Sequence, residues 1–369
     1  MRKISQMEPW FAEEEKTAVM QYLNSGGWLT EFKETRNFEK MVADYVGSKY
    51  GIAVNNGTIS LTVAALGLGI GRGDEVIVPD FTMIASANSL LLAGAKPIFV
   101  DISREDLCLD LDLVEDAISS RTKAIMFVSM NGRYTDMTRL KSIAENHNLF
   151  LIEDAAQSLG CKCAGKHLGT FGQVGSFSFS TPKIITTGQG GMLVTDDEKL
   201  YRLMSMIKDF GRSDIGNLSR QVDFHEIIGF NFKFTDLQAV IGIEQMKKLS
   251  WRVERKKAIF KIYHDLLESI PQIDFIPTNL KDTSPWFIDI IVERGRDELA
   301  SFLKNQGIGT RYFYPAIHTQ PPYSYVKKNF PVSDWASRSG LWLPSSAFLT
   351  DDDVHYVCDH VRKYFAHSG

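Results

Sequence analysis

Short apolar segments recur through the first half of the chain, and the stretches between them carry apolar residues at helical spacing. Seven of these segments predict strands, at residues 50–54, 75–78, 96–100, 123–128, 149–152, 174–179 and 192–195. Helices are predicted between them, for instance at 59–68 and 85–92. Strands that alternate with helices are typical of a mostly parallel sheet covered by helices. The pattern therefore predicts an α/β domain built on a seven-stranded sheet.

The pattern changes near residue 250. The elements predicted around and beyond this point are a polar irregular stretch at 211–225, one long helix at 243–267, a strand at 286–292, and helices at 296–306 and 351–365. This mixture is typical of a smaller α+β domain. We therefore expect two domains, residues 1–248 with an N-terminal arm that leads into an amphipathic helix, and residues 249–369.

Composition and charge narrow the class of protein. The 369 residues are 44% hydrophobic and 23% charged, and 41 basic against 45 acidic side chains give a net charge of −4. A slightly negative chain without basic clusters gives no reason to expect nucleic acid or an anionic membrane as a partner. The four cysteines lack metal-ligand spacing, so reduced thiols and no metal site are expected. Without a signal peptide or an apolar run near ~20 residues, the chain is expected in the cytoplasm.

The most informative chemistry concerns Lys183, which lies between an apolar segment and the glycine-rich turn Thr186-Thr187-Gly188-Gln189-Gly190-Gly191. An ammonium group is strongly hydrated, so burying it without a partner costs free energy. Desolvation lowers the pKa of a lysine and yields a nucleophilic amine, the form that condenses with an aldehyde. Lys183 is therefore a candidate Schiff-base lysine, and the alternative is a surface lysine beside a turn.

Four further features place polar residues beside predicted strands or helices. Asn56-Gly57-Thr58 opens a helix whose first amides can bind a phosphate with the Thr58 hydroxyl, unless Thr58 only caps that helix. Asp154 follows a strand at the edge where ligands bind, so it either pairs with a protonated ring nitrogen or caps a helix. Ser178 offers another hydroxyl, and Asn231 lies in aromatic–polar alternation before a helix. With Lys183, these residues describe a site for pyridoxal 5′-phosphate.

Nearly the whole chain resembles the DegT/DnrJ/EryC1/StrS family of sugar aminotransferases, of fold type I, and in particular perosamine-synthase-like enzymes. The matching stretches are Asn55-Asn56-Gly57-Thr58, Gly73-Asp74-Glu75-Val76-Ile77-Val78-Pro79, Ile84-Ala85-Ser86-Ala87-Asn88, Ile152-Glu153-Asp154-Ala155-Ala156, Lys183 with its glycine-rich turn, Gly229-Phe230-Asn231 and Tyr314-Pro315-Ala316-Ile317-His318. The resemblance implies an α/β fold with a large cofactor-binding domain, a smaller C-terminal α+β domain and a shared active site in a homodimer.

The resemblance also implies a role for each site residue. Lys183 would attach the cofactor covalently and transfer the proton, Asp154 would pair with the ring nitrogen, and Gln157 would approach the ring hydroxyl. Gly57, Thr58 and Ser178 would bind the phosphate, together with Asn231 from the partner subunit. Tyr314 and His318 would lie on the sugar side.

The chain departs from the family pattern at several positions. Met83 replaces the aromatic residue that usually stacks on the cofactor ring, and a methionine contacts a ring through sulfur without stacking. Gln189 replaces a glutamate, and Lys233 replaces an arginine, which is not a conservative change where a bidentate contact is needed. The segment that begins at Trp28, on the nucleotide-sugar side, lacks a glycine. Arg133 is expected to meet an anionic group of the substrate or to be a surface arginine.

We therefore predict an aminotransferase that moves an amino group from an amino acid, L-glutamate, to a nucleotide-linked keto-deoxy sugar such as GDP-4-keto-6-deoxymannose. The product would serve surface polysaccharide biosynthesis, as in a lipopolysaccharide O-antigen. Other keto sugars, linked to dTDP, to UDP or to no nucleotide, remain alternatives, as does a cofactor-binding regulator without turnover. Lys183 argues against the sugar 3-dehydratase branch, because that branch places histidine at this position.

Overall fold

A computed structural model describes residues 2–213 and 222–367. Residue 1 of the predicted arm, residues 214–221 of the predicted irregular stretch and residues 368–369 lie outside the described residues. The helices are α1 (Glu13–Asn24), α2 (Lys33–Val46), α3 (Gly57–Gly67), α4 (Ala85–Ala93), α5 (Leu111–Asp116), α6 (Met137–Asn146), α7 (Glu198–Lys208), α8 (Asp236–Lys247), α9 (Leu249–Leu267), α10 (Arg296–Asn305), α11 (Pro331–Ser339) and α12 (Asp351–His367). The strands are β1 (Tyr50–Val54), β2 (Glu75–Pro79), β3 (Lys96–Val100), β4 (Thr122–Val128), β5 (Phe150–Asp154), β6 (Lys162–Cys163), β7 (Lys166–His167), β8 (Val174–Ser178), β9 (Gly191–Thr195), β10 (Ile288–Ile291), β11 (Arg311–Tyr312) and β12 (Gly340–Leu343).

The large sheet contains the seven strands that the apolar pattern predicts, in the order β1-β9-β8-β5-β4-β2-β3. Strand β9 runs antiparallel to both of its neighbours, and the remaining pairs are parallel. Every residue of β2 and β9 is buried, since helices cover the faces of the sheet and leave no solvated side. The predicted α/β class with a mostly parallel sheet is confirmed.

The sheet register brings the polar segments of the sequence together. Asp154, the last residue of β5, pairs with Val128 on one side and with Ser176 on the other. Gly191, at the start of β9, pairs with Val54 of β1 and with Ser178 of β8. The ends of β1, β8 and β5 therefore meet at one edge, where ligands bind in open α/β sheets.

The long helix predicted at 243–267 is wrong, because two helices occupy this region. Helix α8 ends at Lys247 and α9 begins at Leu249, and between them the Lys248 backbone lies at φ −99° and ψ −4°. The Lys248 ammonium forms ion pairs at 2.9–3.0 Å with Glu14 and Glu15 of α1. Helix α8 packs against α1 and α2, whereas α9 packs against α12. An amphipathic pattern that continues through both helices hides this change of direction.

A second, antiparallel sheet in the order β10-β12-β11 lies in the C-terminal part of the chain. Its core side packs with α9, α10 and α12 around an apolar cluster that includes Tyr263, Leu299, Leu341 and Val357. The strand predicted at 286–292 is present but shorter, as β10. The division into domains at 248/249 remains a prediction, which the change of direction between α8 and α9 supports.

The described residues contain neither a membrane-spanning helix nor a cluster of metal ligands. No helix within residues 2–213 and 222–367 is long and apolar enough to cross a membrane. In the same ranges no three His, Cys, Asp or Glu side chains cluster as metal ligands would. All four cysteines are free thiols.

Candidate active site

A cavity of about 500 Å³ opens at the edge where β1, β5 and β8 end. Many of the residues singled out in the sequence line it, namely Gly57, Thr58, Met83, Asp154, Gln157, Ser178, Lys183 and Tyr314. Trp28, Arg133, Asn231 and His318 do not. One part of the cavity offers hydrogen-bond donors, and another part holds the Asp154 carboxylate and the Lys183 amine.

One end of the cavity is a cradle of hydrogen-bond donors at the start of α3. Asn56 caps the helix, since its Oδ1 accepts a hydrogen bond from the Ile59 amide at 3.0 Å. The alternative that Thr58 caps its own helix is therefore wrong: Thr58 lies inside the first turn. The Gly57 and Thr58 amides, as first and second helical residues, have no intrahelical acceptor and carry the positive end of the helix dipole.

Gly57 allows this cradle to close. A Cβ at this position would lie 2.9 Å from Ser178 Cβ and 3.1 Å from Ser178 Oγ. The missing side chain lets the helix N-terminus approach the end of β8, so that amides and a serine hydroxyl converge. Backbone amides at a helix N-terminus together with hydroxyls form an anion-binding arrangement.

Asp154 is a buried carboxylate at the middle of the cavity. Its Oδ2 accepts a hydrogen bond from Ser86 Oγ at 2.7 Å, and its Oδ1 accepts one from the Ala156 amide at 3.2 Å. Burial raises the pKa of Asp154, whereas the Ser86 hydroxyl and the charge of Lys183 act in the opposite direction. No helix begins here, so the alternative of a helix cap is wrong. Within the described ranges no cation forms an ion pair with this carboxylate, and a cation placed against it would favour its ionised form.

Lys183 lies across the cavity on the turn that follows β8, rather than on the strand itself. Its Nζ lies 4.0 Å from the centroid of the Trp286 ring. Burial lowers the pKa of the Lys183 amine to about 8; the Asp154 charge opposes this change and the Arg311 charge adds to it. The Lys183 side chain is half-buried and lines the cavity, which favours the nucleophile over the alternative of a surface lysine. A substantial fraction of this amine is neutral near pH 8, which is the nucleophilic form.

Gln157 is held by the loop that follows β4. Its Oε1 accepts a hydrogen bond from the Asn131 amide at 2.8 Å. The Asn131 side chain in turn binds the Phe287 backbone, by accepting from its amide at 2.7 Å and donating to its carbonyl at 2.8 Å. Asn131 adopts φ +55°, a left-handed conformation that asparagine tolerates better than most residues. Gln157 is thus fixed at one oxygen while its amide group remains at the cavity wall.

Both expectations for Arg133 are wrong. Its side chain is 3% exposed and donates two hydrogen bonds of 2.7 Å to the carboxylate of Asp289, which is 1% exposed. Its Nε donates to Thr278 Oγ1 at 3.0 Å. The guanidinium is therefore committed to a buried ion pair between the β4–α6 loop and β10, neither at the surface nor in the cavity. A sequence offers no means to see the partner, because Asp289 is far away along the chain.

The remaining substrate-side residues differ in position. Tyr314 lines the cavity and packs edge-on against Trp342 at 4.9 Å. His318 lies outside the lining, where its Nδ1 is 2.6 Å from Asp80 Oδ2 and its amide donates to Asp80 Oδ1 at 2.9 Å. These contacts hold the Tyr314–His318 segment onto the end of β2.

Trp28 and Asn231 both lie outside the cavity of this single chain. Trp28 is 53% exposed, and its indole donates to the Thr30 hydroxyl. Asn231 is exposed and pairs through its backbone with Asp209. Their roles remain predictions that concern a second subunit or the substrate.

The departures from the family pattern have clear positions. Met83 is 44% exposed at the cavity wall, and Gln189 also lines the cavity. Lys233 forms an ion pair with Asp209 at 2.9 Å and lies outside the lining. The cavity also contains Trp286 and Arg311, to which the sequence assigned no role. The one feature of the sequence that could have pointed to Arg311 is its position three residues before Tyr314, the first residue of a matching motif. No feature of the sequence pointed to Trp286.

These residues fit pyridoxal phosphate by their own chemistry. The Gly57–Ser178 cradle offers donors that suit a phosphate, and a side chain on residue 57 would fill it. Asp154 is a buried carboxylate without an ion-pair partner among the described residues, which suits a protonated ring nitrogen. Lys183 supplies an amine of lowered pKa for the aldehyde. The phosphate, the ring nitrogen and the aldehyde of the cofactor would therefore each find a complementary group.

Comparisons with known proteins agree with this geometry. The model of the DegT/DnrJ/EryC1/StrS aminotransferase family matches residues 9–362. The GDP-perosamine synthase of Escherichia coli O157:H7 is 36% identical over 99% of this chain and 100% of its own length. That of Vibrio cholerae is 35% identical over 97% and 98%. Among solved structures, DesV of S. venezuelae superposes with a TM-score of 0.89 at 34% identity, covering 96% of this chain and 94% of that one.

Proposed function

Because the chain belongs to the DegT/DnrJ/EryC1/StrS aminotransferase family, we propose that it transfers the amino group of L-glutamate to a nucleotide-linked keto-deoxy sugar. It is a pyridoxal-phosphate-dependent enzyme. The observation that carries the proposal is the Lys183 amine, at lowered pKa, in one cavity with the Gly57 cradle and the Asp154 carboxylate.

The proposed roles follow from the contacts of each side chain. When bound, pyridoxal phosphate supplies the electron sink for the bond that breaks beside the transferred nitrogen. The amides of Gly57 and Thr58 and the Ser178 hydroxyl bind the phosphate. Asp154 Oδ1 and Oδ2, oriented by Ser86 and the Ala156 amide, hold the proton of the ring nitrogen in place.

Lys183 Nζ faces the cavity and would serve as the base that takes up and returns a proton there. Its lowered pKa serves this role, because proton transfer is efficient when the pKa of the base lies near the working pH. Arg311, like Lys183, lines the cavity without an ion pair in the described ranges, and we assign it the anionic part of a substrate. Gln157 presents its amide to the ring hydroxyl.

We propose a GDP-linked 4-keto-6-deoxy sugar, as GDP-4-keto-6-deoxymannose, as the acceptor. Two relatives named GDP-perosamine synthase, from different bacteria, support it at 36% and 35% identity over nearly full length. The altered segment at Trp28 favours a second candidate, a keto sugar on another nucleotide or on none. The product would enter a surface polysaccharide such as an O-antigen.

We also propose a cytoplasmic homodimer. Free thiols at all four cysteines are typical of a reducing compartment. Large apolar side chains are exposed in two segments, Trp28 and Leu29 in one and Phe224, Ile228 and Phe230 in the one that carries Asn231. A partner subunit that covers them would bring Asn231 to the phosphate of the neighbouring site.

The substrate is tested with purified enzyme, pyridoxal phosphate and L-glutamate, offered separately the 4-keto-6-deoxy sugars of GDP, dTDP and UDP. Mass spectrometry should show replacement of the keto oxygen by an amino group on the GDP sugar, with 2-oxoglutarate formed in equal amount. The matched control is Lys183→Ala, which should form neither product. Equal or faster amination of the dTDP or UDP sugar would overturn the GDP assignment, and 2-oxoglutarate formation by Lys183→Ala would overturn the role of the lysine.

A further inference from the structure

Two buried cations lie directly behind the Lys183 turn, on consecutive turns of α9. Lys256 is 2% exposed and Arg252 is 3% exposed. A narrow cavity of about 10 Å³ separates them from the active site, and Lys183, Ile184 and Trp286 share its walls with Arg252 and Lys256. Neither cation forms an ion pair with a carboxylate in the described part of the chain. Burying a cation without one costs free energy, so an apolar residue would be the simpler filling.

Among the described residues, Lys256 binds only backbone oxygens. Its Nζ donates hydrogen bonds to the carbonyls of Trp286 and Ser345. Burial alone lowers the pKa of Lys256 to about 7. The contact at Trp286 matters because this residue holds Lys183 twice: its ring lies under the Lys183 amine at 4.0 Å, and its indole donates to the Pro182 carbonyl at 2.7 Å.

Arg252 holds the other side of the same turn. Its guanidinium donates to the Ile184 carbonyl at 2.9 Å, to Gln245 Oε1 at 2.7 Å and to the Trp10 carbonyl of the N-terminal arm at 3.0 Å. The residues before and after Lys183 are thus both fixed: Pro182 through Trp286, and Ile184 through Arg252. The turn itself lacks regular secondary structure, so these contacts determine where the amine points.

We propose that Lys256 and Arg252 are positioning residues for Lys183, which hold the amine against the Trp286 ring and away from water. The inference rests on the proposed function of Lys183. If the Trp286 ring moves away, water reaches the amine, the desolvation that lowers its pKa is lost, and the amine returns toward the ordinary lysine value.

The test follows the reactivity of Lys183 in the full-length protein without cofactor. Trace labelling with acetic anhydride across pH 6–11, read by mass spectrometry of the Lys183 peptide, gives the pH of half-maximal labelling. In Lys256→Met this pH should rise by about one unit, which lowers the neutral fraction of the amine at pH 7 about tenfold. Lys256→Arg, which keeps a cation and its donors, should return the midpoint toward that of the wild type.

The matched control is Lys208→Met. Lys208 is equally buried and also donates to a backbone carbonyl, that of Ala53, but Glu31 and Glu39 neutralise it outside the cavity. The Lys208→Met variant should change the unfolding midpoint without moving the pH profile of Lys183 labelling. If Lys256→Met fails to fold, Arg252→Lys tests the second positioning residue. It should also raise the pH of half-maximal labelling of Lys183.

Labelling midpoints in Lys256→Met and Arg252→Lys equal to that of the wild type would overturn the proposal. A separate measurement isolates the proposed function: borohydride should trap pyridoxal phosphate on Lys183 of the wild-type protein. Failure of trapping refutes the role of Lys183 itself, whereas normal trapping with unmoved midpoints refutes only the positioning role.

Discussion

Replacing Gly57 by alanine should separate the phosphate cradle from the rest of the site. The new Cβ would lie 2.9 Å from Ser178 Cβ and 3.1 Å from Ser178 Oγ. Ordinary contacts between carbon atoms are about 3.5–4.0 Å, so the helix N-terminus and the end of β8 must move apart by roughly half an ångström or more. The amides and the serine hydroxyl then no longer converge on one phosphate.

The expected loss follows from the hydrogen bonds involved. A hydrogen bond to a charged group contributes about 1.5–3 kcal/mol, so loss of one weakens binding of pyridoxal phosphate about ten- to a hundredfold. Stability should fall by about 1–3 kcal/mol, the usual cost of overpacking, with no added backbone strain because Gly57 has no left-handed φ.

The assay is a spectroscopic titration of cofactor-free protein with pyridoxal phosphate and, in parallel, with pyridoxal, which lacks the phosphate. Gly57→Ala should weaken the first and leave the second unchanged. Gly71→Ala is the matched control, since its Cβ would meet only the Ala93 carbonyl at 3.7 Å. Equal weakening for both ligands, or none, would refute the cradle.

The remaining predictions concern four other side chains. Asp154→Asn should lower turnover about ten- to a hundredfold, because it removes a charge-assisted contact of about 1.5–3 kcal/mol. Ser86→Ala, measured in the same steady-state assay, should lower turnover less. A larger loss of turnover in Ser86→Ala than in Asp154→Asn would contradict the assignment. Met83→Phe should tighten cofactor binding about two- to tenfold, since aromatic stacking adds about 0.5–1.5 kcal/mol, and an unchanged dissociation constant would count against the stacking position. Arg133→Met should destabilise the fold by about 3–5 kcal/mol in urea unfolding, because it strands the buried charge of Asp289, and a loss below 1 kcal/mol would contradict this.

The pH dependence of cofactor attachment has a defined sign. Burial lowers the pKa of Lys183 to about 8, and only the neutral amine condenses with an aldehyde. The rate of attachment should therefore rise about tenfold per pH unit below pH 8 and level off above it. Stopped-flow absorbance measures this rate, and a rate that continues to rise about tenfold per unit above about pH 9 would exclude a perturbed amine.

Sequence reasoning located the parts of the site that are local in the chain. The strands predicted at 50–54 and 174–179 end close to Gly57 and Ser178. The spacing of apolar residues and the turn-forming residues beside them were therefore enough to place phosphate donors at strand ends. Asp154 and Lys183 stood out for the same reason, as polar groups beside buried strands. The break between α8 and α9 was missed because the apolar spacing continues across Lys248, and spacing does not show that the two helices pack against different neighbours.

The sequence by itself determined the fold class, the family and the chemical groups of the site, because strand periodicity, glycine positions and reactive residue types are written locally. Only the tertiary structure decided which side chains face which. Trp286 lies under the Lys183 amine, and Arg252 and Lys256 donate hydrogen bonds to the backbone of Ile184 and Trp286. Asp289 forms a buried ion pair with Arg133, which therefore does not face the cavity. The physical reason is that burial and charge neutralisation depend on groups distant in sequence, and a lysine acquires its reactive pKa from that enclosure rather than from its neighbours in the chain.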